Sequence, residues 1–288
     1  MRPRLLTDWL GMLRIGNAVV IGFAAITGYV VSGGHHLWEA LLLALSATLI
    51  GCYGNVINDV LDVEIDRINK PWRPLPSGRI SLSSAKTGAA ILLIAGIALS
   101  LLLPPVCPVI AVIASVLLYA YSWRVKKTGF PGNLVIAFLS FMVVVYGGLA
   151  GPDPGRSLVP GLYAFFIILG REIYKGVEDV EGDRRHGVKT IAASLGVKPA
   201  VIMGTILLFT VVAISPFPYF YMGMNIAYLL SAFIGVDLPI IIAFIKIIKN
   251  PVKHAWTSTR ILKIPLFMGL LAFFLGSLPL NHSYLQFT

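Results

Sequence analysis

The chain has 288 residues, of which 57% are apolar and 12% charged, and its mean hydropathy is +0.84. Soluble domains carry about a quarter charged residues, so this composition excludes a water-soluble globule and, equally, a disordered chain. A spanning helix needs ~20 apolar residues, which leaves room for many spans and none for a soluble domain; residues 1–288 read as a single membrane-embedded domain. The net charge of +10 fits orientation across a bilayer and contact with anionic headgroups. The basic residues are scattered over loops among acids, with no basic stripe, so nucleic acid is not an expected partner, and no protein partner is inferred.

The chain opens on MRPRLLTDWLGMLRIGN, basic and then amphipathic. It lacks a small-residue cleavage site, so no signal peptide is expected. Apolar runs then predict nine helices, at 15–33, 38–57, 83–103, 106–123, 131–150, 157–176, 198–215, 218–245 and 261–280. Pro239 is expected to kink the eighth. Arg2, Arg4 and Arg14 precede or open the first span, and the other basic residues cluster after spans two, four, six and eight. Only Arg156 falls on the opposite side. The positive-inside rule then sets the N-terminus in the cytoplasm and the C-terminus outside, in the cell membrane, and requires an odd number of spans. Cys52 and Cys107 lie in apolar stretches and read as small core residues. His35, His36, His186, His254 and His282 have no metal-ligand spacing and read as loop residues.

Most of the thirteen acids fall in two clusters on the cytoplasmic side, and topology does not explain them. The first is Asn58-Asp59-Val60-Leu61-Asp62-Val63-Glu64-Ile65-Asp66-Arg67, stopped by Pro71. At about 100° per residue, Asn58, Asp62, Asp66 and Asp59 share one helical face, while Glu64 points away. In the second, Arg171, Lys175, Asp179 and Asp183 follow one arc, with Glu172 inside it, Glu178 just beyond its edge and Glu181 elsewhere. Like charges stacked on a helix repel, and poor solvation at the end of a span sharpens the conflict. Mg²⁺ resolves it, because that ion favours oxygen ligands and takes one or two carboxylates together with phosphate oxygens and water. Two such ridges facing each other would hold Mg²⁺ and, through it, a diphosphate. Arg171 and Lys175 on the second ridge, with Arg67, Arg73 and Lys127 in adjoining loops, suit the same anion. Solvated helix ends laced with ion pairs are the plainer alternative.

The segment Pro71-Trp72-Arg73-Pro74-Leu75-Pro76-Ser77-Gly78-Arg79 is a stiff turn, read as part of a cap over the site. Span four ends in Tyr121-Ser122-Trp123-Arg124, an interfacial anchor by composition. Spans two and six both end in an acidic ridge followed by a basic, glycine-containing turn, which suggests two parallel four-helix halves plus one extra helix.

Asn58-Asp59-x-x-Asp62-x-x-x-Asp66, followed by Arg73-Pro74-Leu75-Pro76-Ser77-Gly78, resembles the first motif of the UbiA superfamily of intramembrane prenyltransferases, and Asp179-x-x-x-Asp183 resembles its second. The run from Arg171 to Asp183 most resembles the archaeal, lipid-forming branch, although homogentisate prenyltransferases carry a similar Asp-Val-Glu-Gly-Asp run. The resemblance implies an all-α polytopic membrane protein, with nine transmembrane helices around a central cavity and a cytoplasmic cap. It implies Mg²⁺-dependent transfer of a polyprenyl group from its diphosphate, with Mg²⁺ as cofactor. Asn58, Asp59, Asp62, Asp66, Asp179 and Asp183 become the expected metal site, and Asp62, Asp66, Asp179 and Asp183 the expected catalytic acids. Arg14, Asn17, Arg67, Tyr121, Lys127 and Lys175 are expected beside the diphosphate, and Arg73 and Arg171 beside an acceptor phosphate.

The favoured reaction passes a geranylgeranyl group to the hydroxyl of geranylgeranylglyceryl phosphate, making the second ether bond of archaeal membrane lipids. Metal and bases would stabilise the leaving diphosphate in a site that shields an allylic cation from water. Phe138, Phe141, Tyr146, Tyr163, Phe165 and Phe166 are candidates for cation–π stabilisation. One rival keeps the chemistry and prenylates an aromatic quinone precursor. Another is a cation transporter, but its acids should line a path through the membrane, and here both clusters lie at one interface. A CDP-alcohol phosphotransferase is disfavoured because its Asp-Gly-x-x-Ala-Arg opening is missing.

Overall fold

The computed structural model describes residues 5–185 and 187–279. Arg2, Arg4, His186 and His282 lie outside the described residues. Every regular element among the described residues is helical. Eight helices are long and apolar enough to cross a membrane, or up to nine if the bent pair Leu5–Leu13 and Ile15–Val31 counts as one span. The chain is a multi-pass membrane protein. Large apolar side chains such as Ile94, Val116 and Ile206 are more than half exposed, as lipid-facing positions require. Contacts divide the chain into two compact units, Met1–Ser157 and Leu158–Thr288.

The first unit comprises α1 (Leu5–Leu13), α2 (Ile15–Val31), α3 (Leu37–Leu61), α4 (Val63–Asn69), α5 (Leu82–Ser100), α6 (Val106–Trp123) and α7 (Phe130–Gly148). Breakers set the joints: Gly33 (φ 82°) follows α2 and Gly129 (φ 79°) precedes α7, while Ser81 caps α5 by accepting from the Ser84 N–H. α1 and α2 meet at a 47° bend. The pairs α2–α3, α3–α5, α3–α6 and α2–α7 pack together. Tyr29, Leu43, Cys107 and Tyr146 lie in one buried cluster. Met12, Val56, Leu75, Ile80 and Ala85 lie in another, which binds α1 and the proline-rich loop to the end of α3. Both cysteines are free and buried, as expected.

α2 and α7 cross at unusually short range. A Cβ on Gly28 would sit 1.8 Å from the Val144 carbonyl oxygen, and one on Gly147 would sit 1.8 Å from that of Ala25. Glycine permits this backbone-to-backbone approach, the usual means of close helix association inside a membrane.

The second unit comprises α8 (Leu158–Glu178), α9 (Val180–Arg185), α10 (Ile191–Ser194), α11 (Val197–Ile214), α12 (Phe217–Tyr221), α13 (Ile226–Ala232), α14 (Leu238–Lys249), α15 (Pro251–Ile261) and α16 (Lys263–Ser277). α8 packs on α11 and α15, and α13 packs on α16. Two sequence-based boundaries shift. The eighth span starts at Ile226, because α12 continues the seventh and the chain turns at Gly223 (φ 68°). The ninth begins at Pro251, ahead of the expected 261. Lys253, His254 and Arg260 lower the hydropathy of that stretch, but Asn250 caps it by accepting from the Lys253 N–H and Pro251 occupies the first turn. His254 therefore lies in a helix and not in a loop.

Pro239 does not interrupt the eighth span. A π-helical turn over Phe233–Asp237 precedes it, and the Leu238 N–H donates to the Phe233 carbonyl, five residues back. Such turns absorb one extra residue, and here the turn lies just before a residue with no N–H to donate. The Asp237 carboxylate accepts from Ser215 Oγ at 2.7 Å.

Asn225 ties the turn before α13 to the end of α16. Its Nδ2 donates to the Leu275 and Leu278 carbonyls, both at 2.8 Å, and its Oδ1 accepts from the Ala227 N–H. Asn225→Ala leaves those carbonyls without this donor. It is expected to cost about 1–3 kcal/mol, read as a lowered midpoint of thermal unfolding in detergent.

Candidate active site

In the first unit the expected helical face is present, with a joint. α3 ends at Leu61, and the backbone continues through Asp62 into α4: the Asp62 N–H donates to the Asn58 carbonyl (3.0 Å) and the Asp66 N–H to the Asp62 carbonyl (2.8 Å). Pro71 lies two residues past the end of α4 at Asn69. Asp59 and Asp66 are buried and Asp62 is half-buried, whereas Glu64 is exposed. The arc of Asn58, Asp59, Asp62 and Asp66 thus faces the protein.

Each carboxylate on this face meets a base. Arg14 Nη2 lies 2.8 Å from Asp59 Oδ1, and Arg73 Nη1 lies 3.4 Å from the same oxygen. The same Arg73 nitrogen lies 2.7 Å from Asp66 Oδ2, and Lys70 Nζ lies 3.8 Å from Asp66 Oδ1. Lys126 Nζ lies 2.5 Å from Asp62 Oδ1. The Asn58 amide fits its neighbours better with its oxygen and nitrogen exchanged; it then donates to Asp62 at 3.3 Å and accepts from Lys126 at 3.1 Å. Burial of these acids is sustained by paired charge.

The other expected residues of this unit are distributed unevenly. Arg67 pairs with exposed Glu64 at 2.9 Å, away from the ridge. Lys127 and Asn17 are exposed and Tyr121 is half-buried. Tyr121 adjoins Ser122, whose hydroxyl lies 3.4 Å from the Asn58 side-chain amide. Lys126, not Lys127, reaches the acids. Val125–Thr128 form a 3-10 turn, whose tighter winding changes which lysine faces inward.

In the second unit α8 ends at Glu178, and the backbone passes through Asp179 into α9. The Asp179 N–H donates to the Lys175 carbonyl (3.0 Å) and the Asp183 N–H to the Asp179 carbonyl (2.9 Å). The two ridges share one local construction, a helix continued through an acid. Lys175 and Asp179 are exposed. Asp183 accepts from Thr190 Oγ1 at 3.0 Å, and that threonine also caps α10. Arg171 Nη1 pairs with Glu172 at 2.6 Å, and its Nε donates to the Thr259 carbonyl at 3.2 Å. Thr259 Oγ1 in turn donates to Glu178 at 3.0 Å. Thr190 and Thr259 had no local sequence signal, because each meets its acid through the fold.

Among the described residues no three of His, Cys, Asp and Glu converge as a ready metal cage. A magnesium site built from one or two carboxylates, with phosphate and water completing the shell, does not need one. The Asn58 and Asp62 oxygens in the first unit, and the exposed Asp179 carboxylate in the second, are hard donors of the right kind. Two of the expected aromatics are tied into packing. Tyr146 Oη donates to Ser46 Oγ at 2.9 Å, and Tyr163 Oη donates to the Ile214 carbonyl.

The sequence pattern of the UbiA prenyltransferase family matches residues 18–271. Digeranylgeranylglyceryl phosphate synthase of Saccharolobus solfataricus is 43% identical over 279 residues, covering 95% of this chain and 98% of that one. The synthase of the same name from Sulfolobus acidocaldarius is 39% identical, covering 94% and 98%. A solved structure concerned with a digeranylgeranylglyceryl phosphate synthase in membranes is 38% identical, with a TM-score of 0.79 over 95% of this chain and 98% of that one. A UbiA homologue from Archaeoglobus fulgidus, solved with DMAPP and Mg²⁺, shares the fold at 19% identity, with a TM-score of 0.64 over 92% and 99%.

Proposed function

Because this chain belongs to the UbiA prenyltransferase family, we propose that it moves a geranylgeranyl group from geranylgeranyl diphosphate to the free hydroxyl of geranylgeranylglyceryl phosphate. The allylic C–O bond to diphosphate breaks, an ether bond to the glycerol oxygen forms, and the hydroxyl proton and diphosphate leave. The observation that carries this reading is the end-to-end likeness to relatives bearing the name of that synthase. The acid-and-base ridge ending α3 supports it, because it combines hard oxygen donors with cations suited to a polyphosphate.

Mg²⁺, bound together with DMAPP in the Archaeoglobus homologue, would supply Lewis-acid neutralisation of the leaving diphosphate. In this chain Asn58, Asp62 and Asp66 of the first unit, and Asp179 and Asp183 of the second, are the donors we assign to it. Arg14, Lys126 and Lys175 supply positive charge to the diphosphate oxygens, with Asn17, Tyr121 and Lys127 as neighbours. Arg73 and Arg171 are assigned to the acceptor phosphate. The allylic cation is reactive enough to take up the acceptor oxygen without a strong base. Residues 1–288 are assigned as one prenyltransferase domain, in the cell membrane, with the N-terminus and both ridges cytoplasmic and the C-terminus outside.

The test is transfer by the purified protein, using labelled geranylgeranyl diphosphate with geranylgeranylglyceryl phosphate or a panel of aromatic acceptors. An ether product that forms with Mg²⁺ and disappears with EDTA is the expected result. Product from aromatic acceptors alone would move the enzyme to quinone synthesis and overturn the acceptor assignment.

A further inference from the structure

We propose that Asp59 is a positioning residue, a buried counter-charge that aims the guanidinium groups of Arg14 and Arg73 at the first acidic ridge without itself binding metal. The proposal rests on the function proposed above. Asp59 is 7% exposed, and its Oδ1 receives Arg14 at 2.8 Å and Arg73 at 3.4 Å. A metal ligand must exchange its counter-ions for the cation. Asp62, held by one lysine and the Asn58 amide, and Asp66, which meets a single guanidinium group, are placed to do so; Asp59, whose Oδ1 takes two guanidinium groups, is not.

The backbone points the same way. Arg14 is the one non-glycine residue with positive φ among the described residues (φ 54°, ψ 59°). A side chain in that region is held there only when its surroundings impose it. Asn55 and Asp59, one helical turn apart on α3, do the imposing. Asn55 Oδ1 accepts from Arg14 Nη1 at 3.1 Å, and Asn55 Nδ2 donates to the Leu13 carbonyl at 3.0 Å. The clamp thus fixes both the α1–α2 bend and the direction of the guanidinium. Arg73 is brought in by the proline-rich loop and bridges Asp59 to Asp66. Arginine has five N–H donors, so donors remain on Arg14 for the oxygens of a diphosphate and on Arg73 for those of the acceptor phosphate.

The experiment compares Asp59→Asn, Arg14→Lys and the double variant in the full-length protein. Asp59→Asn and Arg14→Lys are each expected to raise the donor KM about tenfold, with the Mg²⁺ concentration for half-maximal rate within about twofold of wild type. The double variant is expected to be no worse than either single one, because the two residues act as one unit. A tenfold rise in the Mg²⁺ requirement of Asp59→Asn, with activity restored at high Mg²⁺, would make Asp59 a ligand and overturn the proposal. An unchanged donor KM in both single variants would reduce the contact to packing and overturn it equally. If Asp59→Asn does not fold, Arg14→Lys keeps the carboxylate and carries the same comparison. Calorimetric binding of the unreactive geranylgeranyl thiolodiphosphate, with Mg²⁺ and with EDTA, reads the arginines without turnover. A wild type that binds this analogue yet prenylates no acceptor would defeat the functional reading alone.

Discussion

Asp62→Ala is expected to lower the transfer rate by about 10²–10³-fold or more at saturating Mg²⁺, with the protein still folded and extractable. The same holds for Asp179→Ala. Both residues are joints where a spanning helix continues into a short helix, so each carboxylate projects at a helix end and not from a packed interior. Truncating Asp62 leaves Lys126, whose side chain is 16% exposed, without its carboxylate partner, and a loss of about 1–3 kcal/mol follows. Asp179 is exposed and makes no side-chain hydrogen bond among the described residues, so its removal should leave the unfolding midpoint in place. Single-turnover assays with labelled donor, run beside thermal unfolding in detergent, separate the two effects. Normal turnover in both variants would remove these acids from the site.

Gly147→Val is expected to have the largest effect on stability. Its Cβ would overlap the Ala25 carbonyl oxygen, and since that atom is backbone no side chain can turn aside. Helices α2 and α7 would have to separate along their whole crossing. Overpacking in a rigid interior costs about 1–3 kcal/mol and sometimes more, and here it also breaks the reciprocal contact at Gly28. The variant should fail to yield a monodisperse peak on size-exclusion chromatography in detergent. Gly11→Ala is the control: nothing lies within 4 Å of its added Cβ, and alanine favours the helix by about 0.5–1 kcal/mol.

The spans were legible because a bilayer demands long apolar runs, a signal stronger than any local propensity. α15 escaped notice because hydropathy registers its charges and not its Asn250 cap. The arc of Asn58, Asp59, Asp62 and Asp66 was legible for a different reason: residues three and four apart on a helix must share a face, and the joint at Asp62 keeps that phase. What the acids touch was not legible. Arg14 and Asp59 are 45 positions apart and Lys126 and Asp62 are 64 apart, distances at which only the packing of α2, α3 and α6 decides who meets whom. Lys126, one residue before the expected Lys127, is the lysine that meets Asp62, because a 3-10 turn with its own period carries it there. Arg73 was expected beside an acceptor phosphate, and it meets Asp59 and Asp66 because prolines direct its loop back over α4.

The π turn at Phe233–Asp237 has a consequence for how the family can vary in length. Tyr228 and Ala232 before the turn are buried, as are Ile240, Ala243 and Ile247 after it. In a continuous α-helix one surplus residue would rotate everything downstream by about 100° and spread these residues over a broader arc. The turn takes up the surplus locally, where Ile234 is 61% exposed, and both groups stay on a common stripe. A relative lacking one residue here would have a plain α-helix with the same inward face. This span can therefore gain or lose a residue without rotating the helix beyond it.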